Sequence, residues 1–289
     1  KSECAIALME LDPQFNVISD QIISQCGQYS KILGLTWGPD DTIFYSDNDR
    51  EYGPFYIYRL NIANAERKLI AVPEDPNGRG YYAIHYDPVA NGLQVLLSDN
   101  WFDTQVLTLS LEGEELNRHT VNYPLFSVSS FGGDPVYKTK GNHVNYQQNG
   151  VERRLMDSPL RPLFAPYFND GKSKSMAFVG GDFFNMDLIL IDLTNNTESL
   201  LVSSNAIQKY PVLTATNKLY FVSNRSGVYQ LWQYAQGKLQ QLSHFDDNHT
   251  IQGIAVSSDE KFIALSINQN TYLYELANSH FQLDQTYLT

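Results

Sequence analysis

Chemistry in this chain is most concentrated in "HFDDNH", His244 to His249, where two imidazoles flank Asp246 and Asp247. Imidazole nitrogens and carboxylate oxygens are competent ligands for Zn²⁺ and other divalent ions, so His244, Asp246, Asp247 and His249 are the weak candidates for a metal site. The same stretch also reads as a polar, solvated loop between two apolar runs. Acids gather again in "SDNDREYG" (Ser46–Gly53) and "VPEDPNGRG" (Val72–Gly80), the kind of oxygen-rich segment that can hold Ca²⁺. The Gly-Gly-Asp triplets in "FGGDPV" and "VGGDFF" read as turns rather than phosphate cradles. Motifs for stronger chemistry are missing: the sequence contains no G-x-S-x-G, H-E-x-x-H, G-x-x-x-x-G-K-[ST] or C-x-x-C. No metal or other cofactor is therefore expected.

The elements that must position these residues are strands. The 289 residues are 43% hydrophobic in type, enough for one or two sizeable cores, and 19 Tyr and 15 Phe suit a pleated, half-buried surface. No window of helical periodicity persists for long. Apolar strands that open the second position of a repeating unit begin near Ile43, Val95, Val136, Met176, Leu219 and Phe262, in steps of 52, 41, 40, 43 and 43 residues. Each unit runs from a first apolar strand ("ILGLTW", "YYAIHY", "FSVSSF", "IQGIAVS") through a turn ("GPDD", "DPVANG", "SSDE") to a very apolar second strand. A polar loop, an alternating third strand, another turn and a fourth strand complete it. A period in the forties with four short strands per unit predicts a propeller blade. Six units fill residues 30–289, and residues 1–29 form a separate N-terminal β-hairpin that would extend a blade edge or make a reduced seventh blade.

Cys4 and Cys26 flank that hairpin, whose Asp12-Pro13 pair marks the turn. A hairpin centred near Phe15 pairs residues whose numbers sum to 30, which sets the two cysteines opposite each other. Directly opposed residues have Cβ atoms about 4.5–5.5 Å apart, close to disulfide reach. A disulfide there favours an oxidising compartment, a periplasm or the secreted space.

"LTWGPDDTIFYSDN", "KLYFVSNRSGVYQLWQY" and "AVSSDEKFIALS" resemble the PD40, or TolB-like, propeller repeat, with its S-P-D-G turn, apolar strand, S-x-R-x-G loop and I/L-Y/W strand. The best copy carries Ser223, Arg225, Gly227, Leu231 and Trp232 in the matching places, whereas no copy has a full S-P-D-G. The resemblance implies an all-β, TolB-like β-propeller of six blades, or seven with the hairpin. It also implies two known settings for such propellers: free scaffolds, and periplasmic ends of membrane-anchored winged-helix regulators of the CadC/ToxR type. The chain starts at Lys1, and a Cys-stapled hairpin at that end would suit a domain that follows a membrane anchor.

In a four-stranded blade, the loop from second to third strand and the connection to the next blade emerge at the same end. The binding residues expected there are Arg50, Trp101, Phe102, Asp103, Asp182, Phe183, Arg225 and His249. Aromatics beside charges are the usual makings of a protein or ligand interface, although such rings can also tuck back between blades. With 20 Lys+Arg against 32 Asp+Glu the chain carries −12, so binding to nucleic acid by this chain is not expected. No run approaches the roughly 20 apolar residues of a membrane span, so a membrane is met only through a preceding anchor. The expected function is a non-catalytic periplasmic sensory or binding propeller that takes a protein or small ligand on its loop face. The competing expectation is a secreted metal-dependent enzyme of the lactonase or lyase type, or a free scaffold. Three N-x-[ST] sequons, at Asn195, Asn224 and Asn248, are weak pointers to a secreted eukaryotic chain.

Overall fold

The structure is a computed structural model that describes residues 5–12, 17–25, 31–48, 50–99, 103–121, 125, 128–131, 133–138, 143–148, 151–157, 175–181, 186–192, 197–277, 281 and 283. These residues form strands and turns, with no helix among them and hence none long and apolar enough to cross a membrane. The chain divides into two compact units, residues 1–140 with 144–154, and residues 141–143 with 155–289.

In the first unit, β1 (Ala5–Leu11) and β2 (Val17–Gln25) form a hairpin. A four-stranded sheet follows, β3 (Gly34–Trp37), β4 (Thr42–Asp47), β5 (Tyr56–Asn61) and β6 (Arg67–Ala71), in sequential order. The next has β7 (Gly80–Asp87), β8 (Gly92–Ser98), β9 (Thr104–Leu109) and β10 (Glu115–Val121). A third comprises β11 (Val128–Phe131), β12 (Asp134–Lys138), β13 (His143–Gln148) and β14 (Val151–Asp157). In the second unit, β15 (Ser175–Gly181), β16 (Met186–Asp192) and β17 (Thr197–Val202) form a three-stranded sheet. Beside it lies a four-stranded sheet, β18 (Gln208–Leu213), β19 (Leu219–Ser223), β20 (Gln230–Ala235) and β21 (Lys238–Gln241). Another three-stranded sheet follows, β22 (Ile251–Val256), β23 (Phe262–Ile267) and β24 (Asn270–Glu275). The registered pairings within these sheets are antiparallel.

Residue type explains each strand's place. The second strands β4, β8 and β19 are buried on both faces along their whole length, which is why "TIFYSD", "GLQVLLS" and "LYFVS" lack clean alternation. The last strands β6, β10 and β17 lie at the edges of their sheets, and "RKLIA", "ELNRHTV" and "TESLLV" place charged and polar side chains there, which blunts edge-to-edge pairing. The first strand β3 is thin. Gly34 approaches Ile84 closely enough that a Cβ would lie 2.9 Å from its Cγ2, and the opposite face leaves Leu35 44% and Trp37 55% exposed. The apolar "ILGLTW" is thus buried on one face only.

A recurring clasp holds the entry to the first strand. Asn48 Oδ1 accepts from the Lys31 amide at 2.9 Å, Asn224 Oδ1 from Ile207 at 2.8 Å and Asn268 Oδ1 from Thr250 at 3.0 Å. Each Asn closes its own second strand, so the same residue type repeats the same contact in three sheets. The left-handed turns are filled by Asp40, Asp41, Asn91 and Glu260, with φ between 47° and 56°. Asp and Asn tolerate that region through local hydrogen bonds; the Glu260 carboxylate instead reaches Thr216 N at 2.9 Å.

The hairpin register places Ala5 opposite Gln25 and Ile6 opposite Ser24, and both pairs sum to 30. Cys4 and Cys26 are outside the described residues. Ile6 and Ile23 pack with Ile43, Tyr45 and Leu60, so the hairpin covers one face of the first four-stranded sheet.

Candidate functional site

In the first unit the loop between β4 and β5 and the connection from β6 to β7 meet. Arg50 Nη2 donates to Pro76 O at 2.7 Å, and the Arg50 carbonyl accepts from Asn48 Nδ2 at 3.0 Å. Arg50 is thereby committed to tying the loop to the Asp75–Gly78 turn, which the Gly78 amide closes on Asp75 O at 3.3 Å. Tyr52, at the tip of the loop, is 93% exposed. Behind it stands a group the sequence did not announce. The Arg67 guanidinium lies 3.6 Å from the Tyr58 ring centroid and reaches Asp47 Oδ2 at 3.2 Å, while Tyr45 stacks on Tyr58. Burial pushes the Tyr45 phenol above its ordinary pKa, and its hydroxyl shares a hydrogen bond with Ser24 of the hairpin at 3.1 Å. Arg79 stands 3.8 Å over Tyr82, and burial lowers its pKa from the usual arginine value. Asp103 is exposed, its carbonyl accepting from Ser98 Oγ at 3.0 Å.

In the second unit, Arg225 sits in the β19–β20 loop beside the connection from β17 to β18. Its Nε donates to Ser223 Oγ at 3.2 Å, and its guanidinium lies 5.0 Å from the Trp232 ring centroid. His249 is half-buried and paired through Nδ1 with Asp246, whose carboxylate also accepts the Asn248 amide at 3.0 Å. These bonds make "HFDDNH" an Asx-capped turn, with His244 and Asp247 exposed. The structure does not gather His244, Asp246, Asp247 and His249 into a metal cage: among the described residues no group of three His, Cys, Asp or Glu is placed to hold an ion. Trp101, Phe102, Asp182 and Phe183 lie outside the described residues. In each unit the described loop ends carry guanidinium groups on aromatic faces, Arg67 on Tyr58 and Arg79 on Tyr82 in the first and Arg225 near Trp232 in the second.

No family model matches the sequence, and no curated protein sequence matches it either. Solved structures do. The β-propeller domain of the Trilobed protease from Pyrococcus furiosus, described as having an open velcro topology, superposes with a TM-score of 0.67 at 13% identity, covering 93% of this chain and 90% of that one. The acylaminoacyl peptidase of Pyrococcus horikoshii gives 0.70 at 13% identity over 95% of this chain and 47% of that one. Oligopeptidase B from Trypanosoma brucei gives 0.61 at 14% identity over 86% of this chain and 39% of that one. The chain thus spans less than half the length of these two peptidases. Likeness at this identity defines the fold: the chain is an all-β propeller, and its sheets are blades.

Proposed function

We propose that this chain is a non-catalytic, TolB-like binding propeller of an oxidising compartment, a periplasm or the secreted space. It engages a protein or small ligand at the loop ends of its blades, without a cofactor. The observation that carries this reading is Arg225: a half-buried guanidinium on an aromatic platform, with no carboxylate against it among the described residues. A group so placed has donors to offer a partner. The proposed blade count is six, or seven if the hairpin, which packs on the first sheet, forms a reduced blade. The chain's acidity and its hairpin suit the sensory end of a CadC/ToxR-type anchored regulator; a winged-helix segment and a transmembrane helix encoded upstream of Lys1 would support that setting, and a different upstream region would remove it.

Cys4 and Cys26 are proposed to form the disulfide that closes the hairpin. Peptide mapping without reductant should recover the two as one linked peptide, and reduction should destabilise the protein by about 2–4 kcal/mol. Two free thiols in protein taken from the periplasm would contradict it.

The functional reading is tested by capture from periplasmic extract with the immobilised protein. The parent should retain a partner that Trp101→Ala/Phe183→Ala loses, with Tm unchanged within a few degrees. Undiminished capture by the double variant would remove the loop face from the account.

A further inference from the structure

Arg225 is not fully served by its surroundings. Of its five N–H donors, Nε goes to Ser223 Oγ at 3.2 Å and one Nη2 hydrogen to Gln208 at 3.1 Å, in the amide orientation that satisfies both ends of that buried side chain. The remaining three have no acceptor among the described residues. The guanidinium lies over two rings, 5.0 Å from the Trp232 centroid and 5.7 Å from that of Phe221. Those rings share one face of the sheet, since Phe221 and Trp232 are paired directly across β19 and β20. The Trp232 Nε1–H is itself buried without an acceptor among the described residues, which is a costly state for a donor. An uncompensated cation and an orphaned indole donor therefore belong to the same stacked group.

The loop is open on the outer side. Ser226 and Gly227 are exposed, and nothing lies within 4 Å of the direction a Gly227 side chain would take. Burial, with no opposing charge, holds the Arg225 pKa below its ordinary value.

We infer that Arg225 and Trp232 Nε1 form a receptor for a single peptide carboxylate, either a C-terminus or an Asp or Glu side chain. The planar fork of a guanidinium matches a carboxylate in two parallel hydrogen bonds, and the indole N–H adds a neutral donor. A dianionic phosphate fits less well, because the chain already carries −12. This inference rests on the binding-propeller reading and names the chemistry of what binds.

The chain has three tryptophans, so an amide-correlation spectrum shows three indole signals, and Trp232→Phe identifies the relevant one. The probes are an N-acetylated tripeptide acid, its C-terminal amide, the same amide carrying one Asp, and inorganic phosphate. Saturable movement of the Trp232 indole with the acid or with the Asp-bearing amide is expected; which of them acts tells the source of the carboxylate. Arg225→Gln should raise the midpoint about tenfold or more, and Arg225→Lys, which keeps the charge without the fork, should raise it less. Dispersion of the remaining amide signals reports that each variant is folded. An indole that ignores both carboxylates, responds equally to the neutral amide, saturates first with phosphate, or titrates unchanged in Arg225→Gln overturns the inference. In each of those cases, partner capture that still depends on Trp101 and Phe183 leaves the binding reading standing.

Discussion

Gly80→Ala is expected to destabilise the fold by about 2–4 kcal/mol, read from urea unfolding. Gly80 opens β7 at φ +77°, and a Cβ there would lie 2.4 Å from Phe55 O and 2.5 Å from Phe55 N. Those are the atoms that join the start of one blade's third strand to the start of the next blade's first. Phe55 N donates to Arg79 O and Tyr81 N to Phe55 O, each at 2.9 Å, around a parallel bridge between Phe55 and Gly80. A methyl group must therefore break the bridge as well as strain the backbone. Gly227 supplies the control. It has φ +104° but open space around it, so Gly227→Ala should lose only about 1 kcal/mol. Equal losses at the two positions would show that backbone strain alone, without the bridge, explains the effect.

Phe44→Ala is expected to cost about 3–5 kcal/mol in the same measurement, with no change in the slope against urea. Phe44 is wholly buried in β4 and faces the second blade, where it meets a cluster including Leu93, Val95, Leu97 and Leu107. Its ring also fills the space over Gly38, where a Cβ would come within 2.3 Å of it. The site has little freedom to collapse, since the surrounding strands are tied into ladders on both sides. Trp37→Ala, on the same hairpin and directly opposite Ile43, removes a larger side chain that is mostly in solvent and should cost far less.

Much of the fold was legible because the second strand of a blade leaves a strong signature. In β4, β8 and β19 it is covered on both faces, so its sequence is mostly apolar, and the expected starts near Ile43, Val95, Val136, Met176, Leu219 and Phe262 each fall in an observed strand. The hairpin register was legible for a different reason: pairing numbers across a turn must sum to a constant, and Ala5–Gln25 and Ile6–Ser24 obey it until a bulge at Ala7. First strands were harder to weigh. "ILGLTW" suggested a buried run, but only its Gly34 and Thr36 face is packed, and the leucines and Trp37 opposite remain exposed.

The candidate site was less legible, since its contacts join residues far apart in sequence. Arg67 stacks on Tyr58 and bonds Asp47, twenty positions away, and neither "AERKL" nor "FYIYRL" announces that assembly. Nothing in "SDNDREYG" announces that Arg50 donates to the Pro76 carbonyl, twenty-six positions away. His249 and Asp246 drew notice as metal ligands and serve as a turn's internal pair. Arg225 was found through the S-x-R-x-G spacing, but its buried neighbour Gln208 and the orphaned Trp232 Nε1 came only from the fold.

The central claim, that the loop ends of the blades are the binding surface, is tested most directly by hydrogen exchange on the protein with its captured partner bound. Protection is predicted in the second unit at Asn224–Gly227 and Asp246–His249, and no change in the turns at the other end of the same blades, Thr214–Asn217 and Ser257–Glu260. Protection confined to those opposite turns, or absent from both ends, would contradict it.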